Sequence, residues 1–326
     1  ESARPGNICD KKVLTLLLPY INARAYGFLQ AGQVEKKKLY IQTFGCQMNV
    51  QDSEKAMSLL RGAGYETVND PREAHLIIVN TCSIREKAAQ KIVSQLGRFR
   101  DLKMRNPHLK IGVGGCLAQQ WGNRFLKKIP YLDFVFGTHQ IHRLPEMVVH
   151  AERNGGRQVE TDFCERVSSL DMFAQPETGA VGTFVTIMQG CNNACAYCVV
   201  PALRGREQSR PLADIIREVA MLADKGIREI TLLGQNVNSY GKNGDGGPDF
   251  PALIHAIGNV AGIERIRFTT SHPKDLSPRL IASFGAVGAL CEHIHLPVQS
   301  GADRILNRMN RGYSAADYRE KIAALR

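Results

Sequence analysis

Between residues 37 and 150, short apolar runs alternate with helical patterns, and this alternation restricts the segment to one kind of fold. The runs are Leu39–Phe44, Leu76–Val79, Ile111–Val113 and Phe134–Phe136. Helical patterns lie between them, over about 52–63, 85–105 and 118–128. Strands separated by helices of this length form βαβ units, hence a parallel sheet with helices on both faces. Each of the first three runs leads into a cysteine: Cys46, Cys82 and Cys116. The carboxyl ends of strands line the ligand crevice of an open α/β sheet. Three cysteines spaced 36 and 34 residues apart are therefore expected at one edge. Taken alone, they read equally well as three small buried apolar side chains.

Asn154-Gly155-Gly156 and Pro176-Glu177-Thr178-Gly179 are turn signals, and a linker is expected over 151–180. A second βα series begins near Gly182. Its expected strands are Phe184–Met188, Glu229–Leu233, Arg265–Thr269 and His293–Leu296, and its expected helices are Leu212–Lys225, Phe250–Val260, Pro278–Phe284 and Ser314–Leu325. Four strands fall short of a complete eight-stranded barrel, which needs roughly 200–250 residues. The unit over 181–326 therefore reads as a barrel incomplete at its C-terminal end.

The densest chemical signal follows the first strand of that unit: Cys191-Asn-Asn-Ala-Cys195-Ala-Tyr-Cys198. Three thiolates spaced C-x3-C-x2-C on one loop suit three corners of a cubic iron–sulfur cluster. The fourth iron then has no protein ligand and can take a small molecule. Zinc is the alternative, but structural zinc sites are closed by four ligands, and no cysteine or histidine follows Cys198 closely. The chain has nine cysteines, and an odd number in 326 residues argues against a disulfide framework and for metal or catalytic use in a reducing compartment. Cys9, Cys164 and Cys291 show no partner pattern.

The C-x3-C-x2-C loop resembles the defining motif of the radical S-adenosylmethionine (SAM) superfamily, with Tyr197 at the aromatic position near the SAM adenine. The stretches Gln42–Asn49, Asn80–Lys87 and Gly114–Gln119 resemble the N-terminal domain of the methylthiotransferases within it. Together the resemblance covers roughly 37–326. It implies a flavodoxin-like parallel-sheet domain over 37–150, then a partial (β/α) radical SAM barrel over 181–326. It implies two 4Fe-4S clusters, one held by Cys191, Cys195 and Cys198 and an auxiliary one held by Cys46, Cys82 and Cys116.

Of the family's branches, Gly45–Asn49, Ser83–Lys87, Val199–Pro201, Arg204–Glu207, Leu233–Tyr240 and His295–Gly301 look like the one that methylthiolates C2 of N6-isopentenyladenosine next to the tRNA anticodon. The other branches act on threonylcarbamoyl-adenosine in tRNA or on a ribosomal protein. From other classes, a two-cluster electron carrier and a zinc-bound nucleic-acid-binding protein are the competing readings. The family pattern places SAM contacts at Gly234 and Gln235, and strand-end positions suggest Ser271 and Gln299. His293 and His295 read as structural. Arg204, Arg206 and Arg210 form a basic cluster that suits tRNA phosphates, in line with a net charge of +11. The resemblance further implies an electron donor such as flavodoxin or ferredoxin, and a cytoplasmic setting.

The family normally continues into further barrel strands and a small RNA-binding module, neither of which is found here. Residues 1–36 read as an extension. Lys11-Lys12, the run Val13–Ile21 and Ala23-Arg24-Ala25 imitate a signal peptide, but the run is too short to span a membrane. Export is discounted because oxygen-sensitive clusters need a reducing compartment.

Overall fold

The structure is a computed structural model that describes residues 36–83, 86–173, 176, 179–242 and 247–326. The signal-like segment and Cys9 lie outside the described residues. The first unit is a six-stranded, fully parallel sheet in the order β2-β1-β3-β4-β5-β6. Its strands are β1 Lys37–Thr43, β2 Tyr65–Thr67, β3 Leu76–Thr81, β4 Lys110–Gly115, β5 Phe134–Phe136 and β6 Gln158–Glu160. All six residues of the central strand β3 are buried. Its side chains alternate between two cores, as a strand's period of two requires. Ile77 and Val79 pack with Ile92, Leu96 and Phe99 of helix Glu86–Arg105. Leu76 and Ile78 pack with Ala56 and Leu60 of helix Gln47–Gly62 and with Leu144, Met147 and Val148 of helix Leu144–Asn154.

The first five strands follow the flavodoxin-like order 2-1-3-4-5, in which ligands bind where the winding reverses, between β1 and β3. Cys46 follows β1 and Cys82 follows β3, so the two flank that switch point.

Several details depart from the sequence reading. The strands β2 and β6 and the helix Leu144–Asn154 were not anticipated. The segment 151–180 is not all linker, because β6 within it pairs with β5 as the sheet's last strand. The helical pattern over 118–128 is two helices, Cys116–Trp121 and Asn123–Lys128, parted at Gly122 (φ 46°, ψ −122°). Only glycine adopts that conformation without strain.

The second unit carries a three-stranded parallel sheet, β11-β10-β7, with β7 Gly182–Thr186, β10 Glu229–Leu233 and β11 Arg265–Phe268. A short antiparallel ribbon pairs β8 Met188–Gln189 with β9 Gln208–Ser209. Helices Leu212–Asp224, Phe250–Gly258 and Pro278–Ala286 cover one face around Ile215, Val219, Leu253, Ile254 and Leu280. The fourth expected strand, His293–Leu296, does not form. Thr270, two residues beyond β11, turns to φ 67°. What remains is a bridge between Ile266 and Leu290 and a single bond from Ser271 N–H to the His295 carbonyl. No helix among the described residues is long and apolar enough to cross a membrane.

The two units meet along helix Gln47–Gly62. Gln51 donates to the Phe184 carbonyl at 2.6 Å and accepts from the Thr186 hydroxyl. Lys55, 2% exposed, donates to the Ser169 carbonyl at 2.8 Å. Burial pushes its ammonium down from 10.5 to about 8, against the pull of Asp52. Between those two values the unfolded chain binds the extra proton, so stability rises with pH there. Relative to a Lys55→Met variant, the unfolding free energy of the parent should rise by about 2–3 kcal/mol from near pH 7.5 to 10.5. A flat difference between the two denaturation series would contradict this.

Candidate functional site

Cys46, Cys82 and Cys116 leave three adjacent strands at the same edge. Thr43 pairs with Asn80, and Thr81 pairs with Gly115, so the residues that follow are side by side. Cys46 caps helix Gln47–Gly62, Cys82 is 7% exposed, and Cys116 begins helix Cys116–Trp121. The turns that deliver them have no spare room. A Cβ on Gly45 (φ 132°) would lie 2.8 Å from the Cys82 Cβ, and one on Gly115 (φ 89°) would lie 2.3 Å from Asn80 Oδ1. Asn49 ties the turns together, donating to the Phe44 carbonyl at 2.9 Å and to the Thr81 carbonyl at 3.0 Å.

The second triad follows β8. Cys191 is 8% exposed, and burial pushes its thiol up, partly offset by the Asn193 N–H that donates to its sulfur at 3.4 Å. Val200 N–H points at the Cys198 sulfur at 3.5 Å. Such N–H groups favour a charged sulfur. Two contacts to Cys195 come from far along the chain. Arg311 Nη1 lies 3.3 Å from its sulfur and 3.2 Å from the Tyr197 hydroxyl, and His272 Nε2 lies 3.8 Å from that sulfur. His272 is pushed down to about 4, first by burial and then by the Arg311 charge. Asn310 Nδ2 donates to the Ala194 carbonyl, and Ala196 N–H donates to the Met309 carbonyl, so residues 309–311 brace the loop. Sequence reasoning missed Arg311, His272 and Asn310. Their separation from the loop, 116 residues for Asn310 and Ala194, leaves no local signal.

Of the expected SAM contacts, Tyr197 is 49% exposed and available to a ligand. Gly234 packs on Met188, where a Cβ would lie 2.4 Å from Met188 Cγ. Gln235 Oε1 accepts from Gly190 N–H at 2.5 Å, so this oxygen shapes the cysteine loop. Ser271 is 6% exposed, and its hydroxyl has no hydrogen-bond partner among the described residues. Gln299 is exposed at φ 68°. The strands β7, β10 and β11 run parallel, so the cysteine loop, Gly234-Gln235 and Ser271-His272 all gather at their carboxyl edge.

The basic cluster is only partly on the surface. Arg206 is exposed, but Arg204 and Arg210 are each 3% exposed and cannot meet tRNA phosphates. Arg210 pairs with Glu218 at 2.6 Å and donates to the Thr186 carbonyl at 2.7 Å. Arg204 pairs with Asp52 at 2.8 Å and donates to Asn49 at 3.0 Å. Arg204 is drawn inward by partners in the first unit and Arg210 by partners in the second, neither of which the local sequence encodes. His293 and His295 are exposed.

Among the described residues, no three His, Cys, Asp or Glu side chains converge on one metal ion. A cluster asks for less convergence, because each thiolate takes its own iron. Buried donors without a partner among the described residues include Arg204 Nη1 and Gln189 Nε2. Such donors mark places where an acceptor belongs, and a cluster's sulfurs accept. The thiol sets of Cys46, Cys82 and Cys116 and of Cys191, Cys195 and Cys198 are of the kind that takes a cluster.

Residues 38–137 match the model described as "Uncharacterized protein family UPF0004", and residues 185–326 match the Radical SAM superfamily. The chain is 56% identical over 294 residues to the tRNA-2-methylthio-N(6)-dimethylallyladenosine synthase of Syntrophus aciditrophicus, covering 90% of this chain and 64% of that protein. The proteins of the same name from Geobacter metallireducens and Geobacter sulfurreducens are 59% and 57% identical, each with 66% of its length covered. The chain thus spans slightly less than two thirds of these relatives. Among solved structures, it is similar to the radical SAM methyltransferase TsrM of Kitasatospora setae (TM-score 0.62, 14% identity, 88% of this chain and 65% of that one). It is also similar to the cobalamin-dependent radical SAM enzyme OxsB (TM-score 0.58, 14% identity, 97% and 53%). At that identity the likeness concerns the fold.

Proposed function

We propose, from the premise that this chain belongs to the radical SAM methylthiotransferase family, that it is the two-cluster part of an enzyme that adds a methylthio group to C2 of N6-isopentenyladenosine next to the anticodon in tRNA. Radical SAM membership implies SAM and a 4Fe-4S cluster. The observation that carries the proposal further is the pair of cysteine triads at the carboxyl edges of two sheets, joined through one short segment. That segment is helix Val200–Arg204, which packs on helix Cys116–Trp121 and starts two residues after Cys198.

Cys191, Cys195 and Cys198 would hold the SAM cluster, and Cys46, Cys82 and Cys116 the auxiliary one. When bound, such clusters supply the electron that cleaves SAM to methionine and a 5′-deoxyadenosyl radical and, at the auxiliary site, the place from which sulfur is delivered. The protein's share is placement. Asn193, Val200 and Arg311 aim donors at the sulfurs of the second triad, which orients metal ligands and tunes their charge. Tyr197, Gly234, Gln235, Ser271 and Gln299 are the proposed SAM contacts, with Gln235 acting in part by fixing Gly190. The net charge of +11 suits a tRNA partner. A soluble electron donor such as flavodoxin or ferredoxin, and a reducing cytoplasmic compartment, complete the proposal.

Iron and sulfide analysis of anaerobically reconstituted full-length protein tests the two sites. About eight irons per chain are expected, falling to about four in Cys46→Ala. A content near four in the parent, with no loss in Cys46→Ala, would sink the auxiliary site. Nucleoside analysis of tRNA from a deletion strain tests the substrate, with loss of the 2-methylthio group from isopentenyladenosine as the expected result.

A further inference from the structure

We infer that Arg204 is a positioning residue that links the two cysteine triads and raises the reduction potential of the cluster at Cys46, Cys82 and Cys116. The inference rests on the proposed reading of that triad as a cluster site.

Arg204 stands six residues after Cys198 and ends helix Val200–Arg204. The carbonyls at the end of that helix have no partner within it. They are met by the other unit: Thr138 Oγ1 donates to the Leu203 carbonyl at 2.7 Å, and His139 Nε2 lies 2.9 Å from the Arg204 carbonyl. His139 Nδ1 accepts from Cys164 N–H, so Nε2 carries the proton and donates. The backbone of Arg204 is thereby held end-on against the loop after β5.

Its side chain then reaches toward the first triad. Nη2 is shared between Asn49 Oδ1 at 3.0 Å and Asp52 Oδ2 at 2.8 Å, both on the helix that Cys46 caps. Nη1 is buried with no hydrogen-bond partner among the described residues. The guanidinium lies beside the first triad's elements, because helix Val200–Arg204 packs on helix Cys116–Trp121 and its Asp52 and Asn49 partners are on the helix that follows Cys46.

A 4Fe-4S core held by three thiolates is an anion. Net charge nearby and hydrogen bonds to sulfur set cluster potentials. A fixed cation beside the site favours the reduced, more negative state.

The test uses full-length protein in which Cys191, Cys195 and Cys198 are all alanine, so that only the auxiliary cluster forms, with its midpoint read by an EPR-monitored redox titration. Arg204→Met should lower the reduced-to-oxidised ratio at fixed potential at least tenfold, a shift of 59 mV to the negative for one electron. Asp52→Asn, which removes the opposing charge, should shift the midpoint the other way. Arg204→Lys, which keeps the charge, should stay within about threefold of the parent, under half the 59 mV decade. A purely structural brace gives no such opposite-signed pair. An Asp52→Asn midpoint that equals the parent's, together with either an equal midpoint or no cluster in Arg204→Met, would overturn the inference while leaving the cluster site intact. Failure of the triple-alanine parent itself to take up iron would instead remove the reading of the triad, and the inference with it.

Discussion

Full-length enzyme carrying Cys82→Ala is expected to go on forming 5′-deoxyadenosine from SAM while making no methylthio-adenosine. Cys195→Ala should make neither. The two cysteines lie at different sheet edges. Cys195 sits on the close-spaced loop with Arg311 Nη1 3.3 Å from its sulfur, and removing it takes away one of three ligands that leave an iron open for SAM. Cys82 follows the fully buried strand β3 between the strands that deliver Cys46 and Cys116. Its loss dismantles the first triad and leaves every contact of the second in place. Both products are read by mass spectrometry from one mixture of SAM, reductant and isopentenylated tRNA. Methylthio-adenosine from the Cys82→Ala enzyme would show that the first unit does not take part in sulfur insertion.

Gly115→Ala should be nearly as damaging as losing a ligand, although it touches no donor atom. Gly115 has φ 89° and ψ −164°, a region essentially reserved for glycine. The added Cβ would stand 2.3 Å from Asn80 Oδ1 and 2.4 Å from the Thr81 carbonyl oxygen. The second contact is backbone of the central strand and cannot step aside. Backbone strain and overpacking together should cost about 3–5 kcal/mol of unfolding free energy. Cys116, the next residue, should be displaced with it, and reconstituted iron should fall to about four per chain. Gly62, which has nothing within 4 Å of its built Cβ, is the control. Gly62→Ala at the end of its helix should change stability by less than about 1 kcal/mol. Equal denaturation midpoints for Gly115→Ala and the parent would refute the steric account.

The strands β1, β3, β4 and β5 could be read within a residue or two because a strand and its following helix have different hydrophobic periods over a short window. Tyr65–Thr67 and Gln158–Glu160 could not: each is three residues with little apolar content, and each exists because a neighbouring strand offers bonds at the right register. Glu229–Leu233 forms a strand over those same residues, whereas His293–Leu296 stays irregular, since a strand needs a partner that stays in register and here only Ser271 N–H meets the His295 carbonyl.

The same division runs through the site. The close-spaced triad is chemistry written into eight consecutive residues, and the three N-terminal cysteines are marked by where their strands end. Their adjacency is another matter. It follows from the order β1-β3-β4, with β2 set outside, which no stretch of sequence states. Arg204 shows the limit most clearly. Between Cys198 and Arg206 it reads as one more surface cation, but docking of the two units leaves it 3% exposed against Asp52, 152 residues away. Local patterns specify which residues leave a strand end or share a loop, because those depend on neighbours in the chain. Burial, charge pairing and the meeting of Arg311 and His272 with Cys195 depend on neighbours in space, and only the tertiary packing brings those together.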